Sequence, residues 1–323
     1  MKWPCEKGSS SAGVVAEGEV GVAFEEPRHV PVLVREVLEN LRPVPGETFV
    51  DATFGLGGHG LALLARLLPG GRLVGIDRDA EVLELARERI GEREGLALVH
   101  ADFRDLQATL DRAGVRRAHG FLFDLGASSV QFDLPERGFA FSSQGPLDMR
   151  MDRESECPTA ADLVRDLSEA ELEHVFRTYG EERDARRIAR AILAARSSEP
   201  IETTVRLADV VQGAVRRPRG RIHPATRVFQ ALRIAVNKEL DALEAALPAA
   251  LSRLAPGGRI GVISFHSLED RIVKNLFRER AREKDRWSLP FARPLFASQE
   301  EVAANPRARS ARLRVIVREG RAI

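Results

Sequence analysis

A strand that ends in a cluster of glycines and leads directly into a helix is the feature that most constrains this fold. The stretch is ETFVDATFGLGGHG (47–60), in which Phe49 and Val50 suit a buried strand. The glycines allow positive φ angles, and the leucines at 61, 63, 64, 67 and 68 recur at helical spacing. The pattern predicts a strand, a tight turn and a helix whose first amides face a polar or anionic part of a ligand.

The glycine spacing also matches a cofactor-binding fingerprint. Gly55, Gly57 and Gly60 fit G-x-G-x-x-G, and Asp77 ends the next strand-like run, RLVGI, at about the ~20-residue offset of an acid that binds ribose hydroxyls. This chemistry serves NAD and S-adenosylmethionine equally, and the glycines can also do no more than close the turn. The rest of the chain must distinguish these alternatives.

Size and composition restrict the class of protein. The chain has 323 residues, of which 30% are charged, and its formal net charge is +1. We expect one domain with an insertion, or two domains, and any nucleic-acid surface must be local. Cys5 and Cys157 have no metal-ligand spacing and no disulfide framework, so we expect no metal and a cytoplasmic location. No apolar run of ~18 residues indicates a membrane span, and residues 1–26 are expected to form a flexible tail.

Four strand patterns alternate with helical patterns in the first half of the chain. They end near Asp51, Asp77, His100 and Asp124, which is typical of a doubly wound, mostly parallel sheet with ligands above the strands' carboxyl ends. Strand patterns then stop for about a hundred residues. The later predictions are helices at 160–167, 169–179, 182–196, 207–215, 228–254 and 268–282, a buried strand at 259–265, and a hairpin of 291–296 with 313–318.

The number of strands favours one cofactor. A dinucleotide fold would repeat a complete βαβαβ unit, whereas only three strand candidates follow the helices, so a seven-stranded, Rossmann-like methyltransferase sheet with an inserted α-helical domain fits better. In that α/β fold the methionine end of S-adenosylmethionine lies over the glycine turn, Asp77 holds the ribose, Phe103 flanks the adenine and Asp124 faces the reacting amine. Phe103 serves equally well as core filling.

Several motifs, in order along the chain, together resemble one protein family. They are HVPVL (29–33), GLGGH (55–59), DLGASSVQFD (124–133), ERGF (136–139), GPLDMRMD (145–152), YGEER (179–183), HPATR (223–227), ISFHSLEDR (263–271) and NPRARS (305–310). With these motifs the chain resembles the bacterial MraW/RsmH family. The resemblance implies an S-adenosylmethionine-dependent methyltransferase that acts on the N4 amine of a cytosine in the decoding region of 16S ribosomal RNA, within the small subunit.

The resemblance also implies a set of site residues. Carried over by position, the cofactor contacts are Gly57, Gly58, His59, Asp77, Phe103, Asp124 and Gln131. From the strand and helix patterns we expect the cofactor-binding domain at 27–132 and 227–323 and a helical substrate-recognition domain at 133–226. The sequence does not distinguish a monomer from a homodimer.

The chemistry of amine methylation requires a hydrogen-bond acceptor near the end of the fourth strand, because a cytosine N4 lone pair is delocalised into the ring. Alignment of the amine with the methyl group supplies most of the acceleration. We expect Asp124 or its loop to hold the amine, and Asp148 and His266 to shape the target pocket, because these residues lie in polar segments at strand ends. A purely cofactor-binding role for Asp124 is the alternative.

A local basic segment is the candidate RNA surface. No acidic residue lies between Asp209 and Glu239, and the arginines assigned to RNA phosphates there are Arg216, Arg217, Arg219, Arg221 and Arg227. Such a run is also compatible with a solvated surface. Three other functions stay open: a DNA cytosine-N4 or adenine-N6 methyltransferase, a non-enzymatic RNA or cell-division scaffold, and an NAD dehydrogenase.

Overall fold

The centre of the molecule is an eight-stranded, mostly parallel sheet. The computed structural model describes residues 31–215 and 223–320. The strands are β1 (Thr48–Asp51), β2 (Arg72–Asp77), β3 (Leu96–His100), β4 (Ala118–Asp124), β5 (Leu254–Ser264), β6 (Trp287–Ser288), β7 (Leu295–Phe296) and β8 (Arg312–Arg318). Their order is β3-β2-β1-β4-β5-β8-β6, with β7 also paired to β8. The first five strands are parallel and β8 is antiparallel, which confirms the predicted fold class.

Helices cover both faces of the sheet and form the insertion. They are α1 (Val34–Leu41), α2 (Gly58–Leu67), α3 (Ala80–Ile90), α4 (Leu106–Arg112), α5 (Ser129–Asp133), α6 (Ala160–Asp166), α7 (Glu169–Gly180), α8 (Ala185–Ser198), α9 (Thr204–Ala214), α10 (Ala225–Asn237), α11 (Glu239–Arg253), α12 (Ser267–Arg280) and α13 (Gln299–Ala304). The local sequence determines where some helices begin. Thr159 forms a capping box with Asp162 at the start of α6, and Ser168 forms one with Glu171 at the start of α7.

The inserted helices have a hydrophobic core of their own. Residues of α6, α7, α8 and α9 pack with Leu147 and Met149 in one buried cluster. Helix α10 contributes Val228 and Leu232 to the same cluster, so it packs with the insertion. The predicted domain boundaries, at 132/133 and 226/227, stay predictions.

The predicted helix over 228–254 is two helices. Lys238 has left-handed backbone angles, φ 49° and ψ 42°, and separates α10 from α11. Residues far away in the sequence stabilise the backbone at this break. Arg78 donates to the Asn237 carbonyl at 2.9 Å, and Arg104 donates to the Lys238 carbonyl at 3.3 Å. No local sequence signal indicates it, since neither glycine nor proline lies at 231–240.

The C-terminal hairpin is shorter than predicted. Only Leu295 and Phe296 of the predicted strand at 291–296 pair with β8, and Trp287 with Ser288 forms a further short strand that the sequence did not indicate. Pro290 and Pro294 have no backbone N–H to donate, which restricts pairing in this stretch. Within the described residues, no helix is long and apolar enough to cross a membrane.

Candidate active site

A cavity of about 330 Å³ lies over the carboxyl ends of the central parallel strands, a volume typical of small-ligand sites. Six of the seven predicted cofactor residues line it, namely Gly58, His59, Asp77, Phe103, Asp124 and Gln131. We call the side formed by Gly55, His59, Asp77 and Asp124 the strand-end wall. The sequence therefore brings most of its predicted cofactor residues to one place.

The glycine turn is shaped largely by contacts within the protein. A Cβ on Gly57 would lie 2.7 Å from Ile90 Cδ1, and a Cβ on Gly58 would lie 2.3 Å from Pro31 Cγ. Gly57 has φ +83° and packs behind the cavity surface. Gly55 lines the cavity, and a Cβ there would meet nothing within 4 Å. Gly55 is thus where a ligand can approach the backbone.

Asp77 connects the turn to the second strand. Its Oδ2 accepts from the Gly55 amide at 2.7 Å, and its Oδ1 accepts from the Asp79 amide at 3.0 Å. Burial raises the pKa of Asp77 to about 6, against the opposing effect of these amides. Each carboxylate oxygen retains a lone pair that can accept from a ribose hydroxyl.

His59, on the strand-end wall, interacts with two acids, Asp124 and Asp51. His59 Nδ1 is 3.4 Å from Asp124 Oδ2, and its Nε2 is 2.8 Å from the Val32 carbonyl oxygen. Burial opposes the charged imidazolium, but Asp124, Asp51 and the Val32 carbonyl together raise the pKa of His59. Burial also raises the pKa of Asp51 to about 7, although the nearby His59 opposes this.

Two acceptor atoms of this cluster have no hydrogen-bond partner among the described residues. They are Asp51 Oδ2 and Asp124 Oδ1, both buried. An unpaired buried acceptor is costly, so a ligand that donates a hydrogen bond or carries positive charge is stabilised beside it. S-adenosylmethionine carries a sulfonium, an ammonium and ribose hydroxyls, and this set of carboxylates fits it.

Phe103, the residue predicted to flank the adenine, lines the cavity. Its ring packs edge-on against Phe123, with centroids 6.0 Å apart and planes at 87°. Phe103 therefore both lines the cavity and packs against the core, and its contact with adenine stays a prediction.

Gln131 supports the wall through the protein itself. Its Nε2 donates to Asp79 Oδ2 at 2.6 Å, and its Oε1 accepts from the Ser128 amide at 2.8 Å. Arg137, 1% exposed, donates to the same Asp79 oxygen at 2.6 Å. Sequence reasoning did not assign Asp79 or Arg137, because their pairing joins α3 to a distant loop.

A second group of lining residues, which we call the helix wall, consists of Arg233, Glu239, Phe265 and Glu269. Arg233 Nε and Nη2 donate to Glu239 Oε1 and Oε2, each at 2.8 Å. The sequence indicated no site role for Glu239 or Glu269, whose carboxylates are buried. Glu239 ends the basic stretch that contains Arg233, and Glu269 lies in the motif ISFHSLEDR, but neither pattern indicates a role in the site.

Glu239, His266 and Glu269 place one ligand atom each within 4.8 Å of one another, a spacing compatible with a cation. Arg233 already holds both oxygens of Glu239, and His266 Nε2 is 3.2 Å from Glu269 Oε1. The acids thus have cationic or polar partners within the protein. The absence of a metal requirement stays a prediction.

The structure places the two further candidates for the target pocket outside the cavity lining. Asp148 is paired with Arg150, with Nε to Oδ1 at 2.8 Å and Nη2 to Oδ2 at 3.0 Å. His266 caps α12, since its Nδ1 accepts from the Glu269 amide at 3.4 Å. His266 contacts the lining residue Glu269, whereas neither Asp148 nor its partner Arg150 lines the cavity, so the predicted role of both in the target pocket stays a prediction.

The candidate RNA residues are only partly described. Arg216, Arg217, Arg219 and Arg221 lie outside the described residues. Arg227 is exposed on α10, and its Nη1 donates to the Glu181 carbonyl oxygen at 3.2 Å. A further cation that the sequence did not assign, Arg307, borders the cavity, bonds Ser129 and Asp133, and lies 5.5 Å from the ring centroid of Phe132.

Comparison with known proteins identifies the family. Residues 26–319 match the model of the MraW methylase family. Ribosomal RNA small subunit methyltransferase H of Thermobifida fusca is 51% identical over 313 residues, covering 90% of this chain and 94% of the relative. The protein of the same name from Pelobacter propionicus is 49% identical, covering 90% and 98%. An rRNA methylase structure from Streptococcus thermophilus, 11% identical, covers 92% and 99% with a TM-score of 0.39.

A match over almost the whole chain, together with relatives of about half-identical sequence, decides the assignment. The strand-end wall and its unpaired acceptors suit the methyl donor of such enzymes, S-adenosylmethionine. The chain therefore belongs to the MraW methylase family and uses that cofactor.

Proposed function

We propose that this enzyme transfers a methyl group from S-adenosylmethionine to the N4 amine of a cytosine in the decoding region of 16S ribosomal RNA. The relatives named above are small-subunit ribosomal RNA methyltransferases, which supports the RNA class. The observation that carries the amine assignment is Asp124 Oδ1, a buried acceptor without a partner among the described residues, in the cavity at the end of β4.

The strand-end wall would hold the cofactor. Asp77 can accept from the ribose hydroxyls, Phe103 borders the adenine region, and Gly58 and His59 lie at the turn that faces the methionine end. When bound, S-adenosylmethionine supplies an electrophilic methyl group on a positively charged sulfonium. Asp77 and Asp124 give this wall the negative charge that such a group requires.

Asp124 is the proposed catalytic residue. Its Oδ1 would accept a hydrogen bond from the exocyclic amine, which turns the nitrogen lone pair towards the methyl group. As the N–C bond forms and the S–C bond breaks, this oxygen would accept the proton that the amine loses, and S-adenosylhomocysteine would leave. His59 holds the other oxygen, Oδ2, at 3.4 Å and so fixes the orientation of the carboxylate. His266 would shape the target pocket through Glu269, which lines the cavity, and Asp148 is kept as a second such residue, held by Arg150.

The target base must leave the RNA helix to enter the cavity, because a paired amine cannot reach a buried acceptor. We place the RNA backbone along Arg216, Arg217, Arg219, Arg221 and Arg227 and expect salt-sensitive binding there. The substrate is 16S RNA, in the cytoplasm and within the small subunit.

The experiment incubates the pure protein with methyl-labelled S-adenosylmethionine and small subunits that lack the modification. We expect label in 16S RNA as N4-methylcytidine after nucleoside digestion. Matched reactions contain naked 16S RNA and single-stranded DNA. Label on another nucleoside, or on DNA in preference to subunits, would contradict the proposal.

A further inference from the structure

Arg233, on the helix wall, has one donor edge that the protein uses and one that it leaves free. The edge formed by Nε and Nη2 binds both oxygens of Glu239, each at 2.8 Å. Nη1 has no hydrogen-bond partner among the described residues. Because a guanidinium carries five N–H donors in one plane, Nη1 and the second hydrogen of Nη2 form an unused edge. The side chain is only 12% exposed and lines the cavity.

Gly126 shows where this free edge lies. It follows Asp124 by two residues, has φ +100° and borders the cavity. A Cβ built on it would lie 3.6 Å from Phe265 Cδ2 and 4.0 Å from Arg233 Nη1. The guanidinium and the Phe265 ring therefore face the loop that follows the catalytic acid. A planar group held against Phe265 would have Asp124 and Arg233 near its edge.

The order of donors and acceptors on cytosine matches these two residues. Its pairing edge presents the N4 amine as a donor, followed by N3 and O2 as acceptors. Asp124 Oδ1 offers an acceptor, and the free guanidinium edge offers two donors. Guanine would place its N1–H against these donors, uracil has no amine, and adenine has one ring acceptor beside its amine. Each mismatched base leaves a polar group unpaired, which costs affinity.

We propose that Arg233 is a specificity-determining residue that donates to N3 and O2 of the target cytosine while Asp124 accepts from N4 and Phe265 lies against the ring. This inference rests on the function proposed above. Glu239 is a positioning residue, because its two hydrogen bonds fix the plane of the guanidinium. A lysine at this position would keep the charge but lose the planar fork.

The test changes one atom of the base and one side chain of the enzyme. Small subunits are reconstituted with 16S RNA that carries either cytidine or 3-deazacytidine at the methylated position. The analogue keeps the amine and O2 but lacks the N3 acceptor. Steady-state kcat/KM is measured for the wild type and for Arg233→Lys. The analogue's amine has a different reactivity, which affects both enzymes. We therefore divide kcat/KM on cytidine by kcat/KM on the analogue for each enzyme. Comparing this ratio between the wild type and Arg233→Lys isolates the contact of Arg233 with N3.

Replacing cytidine by the analogue should lower kcat/KM about ten times more for the wild type than for Arg233→Lys. Arg233→Lys should lose about tenfold on cytidine and retain its affinity for S-adenosylmethionine in calorimetry. The matched control is Arg314→Lys, because Arg314 binds both oxygens of Asp270, at 2.6 and 3.1 Å, and lies outside the cavity. The control should show the wild-type loss on the analogue.

An equal loss on the analogue for wild type and Arg233→Lys would overturn the inference, since Arg233 would then not contact N3. If Arg233→Lys does not bind the cofactor, Glu239→Gln takes its place. This variant keeps the arginine but weakens the hydrogen bonds that fix the plane of its guanidinium. Its loss of kcat/KM on the analogue should therefore be smaller than that of the wild type. A loss equal to that of the wild type overturns the inference. Failure of the proposed function is distinct, because the wild type would then form no N4-methylcytidine on the cytidine subunits.

Discussion

The two walls of the cavity satisfy their polar groups in opposite ways. On the strand-end wall Asp124 Oδ1 has no partner among the described residues, and neither does Asp51 Oδ2 beneath it. On the helix wall both oxygens of Glu239 are bound by Arg233, and what remains free is a donor edge. The first wall thus offers acceptors and negative charge, and the second offers donors.

The largest effect is expected from the buried ion pair that supports the strand-end wall. Arg137→Met would leave the carboxylate of Asp79, 2% exposed, without its cation. Loss of one partner of a buried pair costs about 3–5 kcal/mol of unfolding free energy. Urea denaturation followed by circular dichroism measures it. Arg165→Met, in an exposed pair with Asp166, is the control and should leave the urea midpoint unchanged. A similar midpoint for both variants would contradict the assignment of Arg137 as a structural support.

The second prediction asks whether the unpaired acceptor acts in catalysis or only in cofactor binding. Asp124→Ala should lower kcat by about 10²–10³-fold, because the amine loses its oriented acceptor. Calorimetry with S-adenosylmethionine separates the two roles. If Asp124 acts in catalysis, the Kd of the variant for S-adenosylmethionine should stay within about threefold of that of the wild type. If Asp124 only binds the cofactor, this Kd should rise, and saturating cofactor should restore turnover. Asp133→Asn, exposed at the edge of α5, is the matched control and should retain activity.

The third prediction uses the raised pKa of Asp77, about 6, on the strand-end wall. Protonation removes the negative charge and acceptor capacity that ribose hydroxyls need, so cofactor affinity should be full above this pKa and fall as pH decreases through it. Between about pH 7 and pH 5 we expect Kd to rise about tenfold. Calorimetry over this range measures the slope. Asp77→Asn should bind more weakly and show a flatter pH dependence; the same slope in the variant would assign the proton to another group.

The smallest effect is expected at the rim, where Arg307 meets Asp133. Both side chains are about half exposed, so the pair is worth about 0–1 kcal/mol of unfolding free energy. A double-mutant cycle of Arg307→Ala and Asp133→Ala in thermal unfolding gives the coupling energy. A coupling above about 2 kcal/mol would show that this contact fastens the C-terminal segment to the cavity far more firmly than an exposed pair does.

The sequence predicted the strand-end wall better than the helix wall for a physical reason. The glycine turn, the acids that end β1, β2 and β4, and the apolar runs of the strands are local patterns, because φ requirements and strand burial act within a few residues. The helix wall depends on the break at Lys238, which groups from the first half of the chain hold in place. Arg78 and Asn237, for example, are 159 positions apart.

The sequence by itself determined the α/β class, the position of the glycine turn and the resemblance to a methylase family that the comparisons then showed. The tertiary structure alone decided that Gly57 packs behind the cavity, that Gln131 is bound to Asp79 and that Arg233 faces the loop after Asp124. These relations depend on which distant side chains meet when the sheet and the inserted helices pack. No local pattern carries that information, because burial and pairing are properties of the whole packed chain.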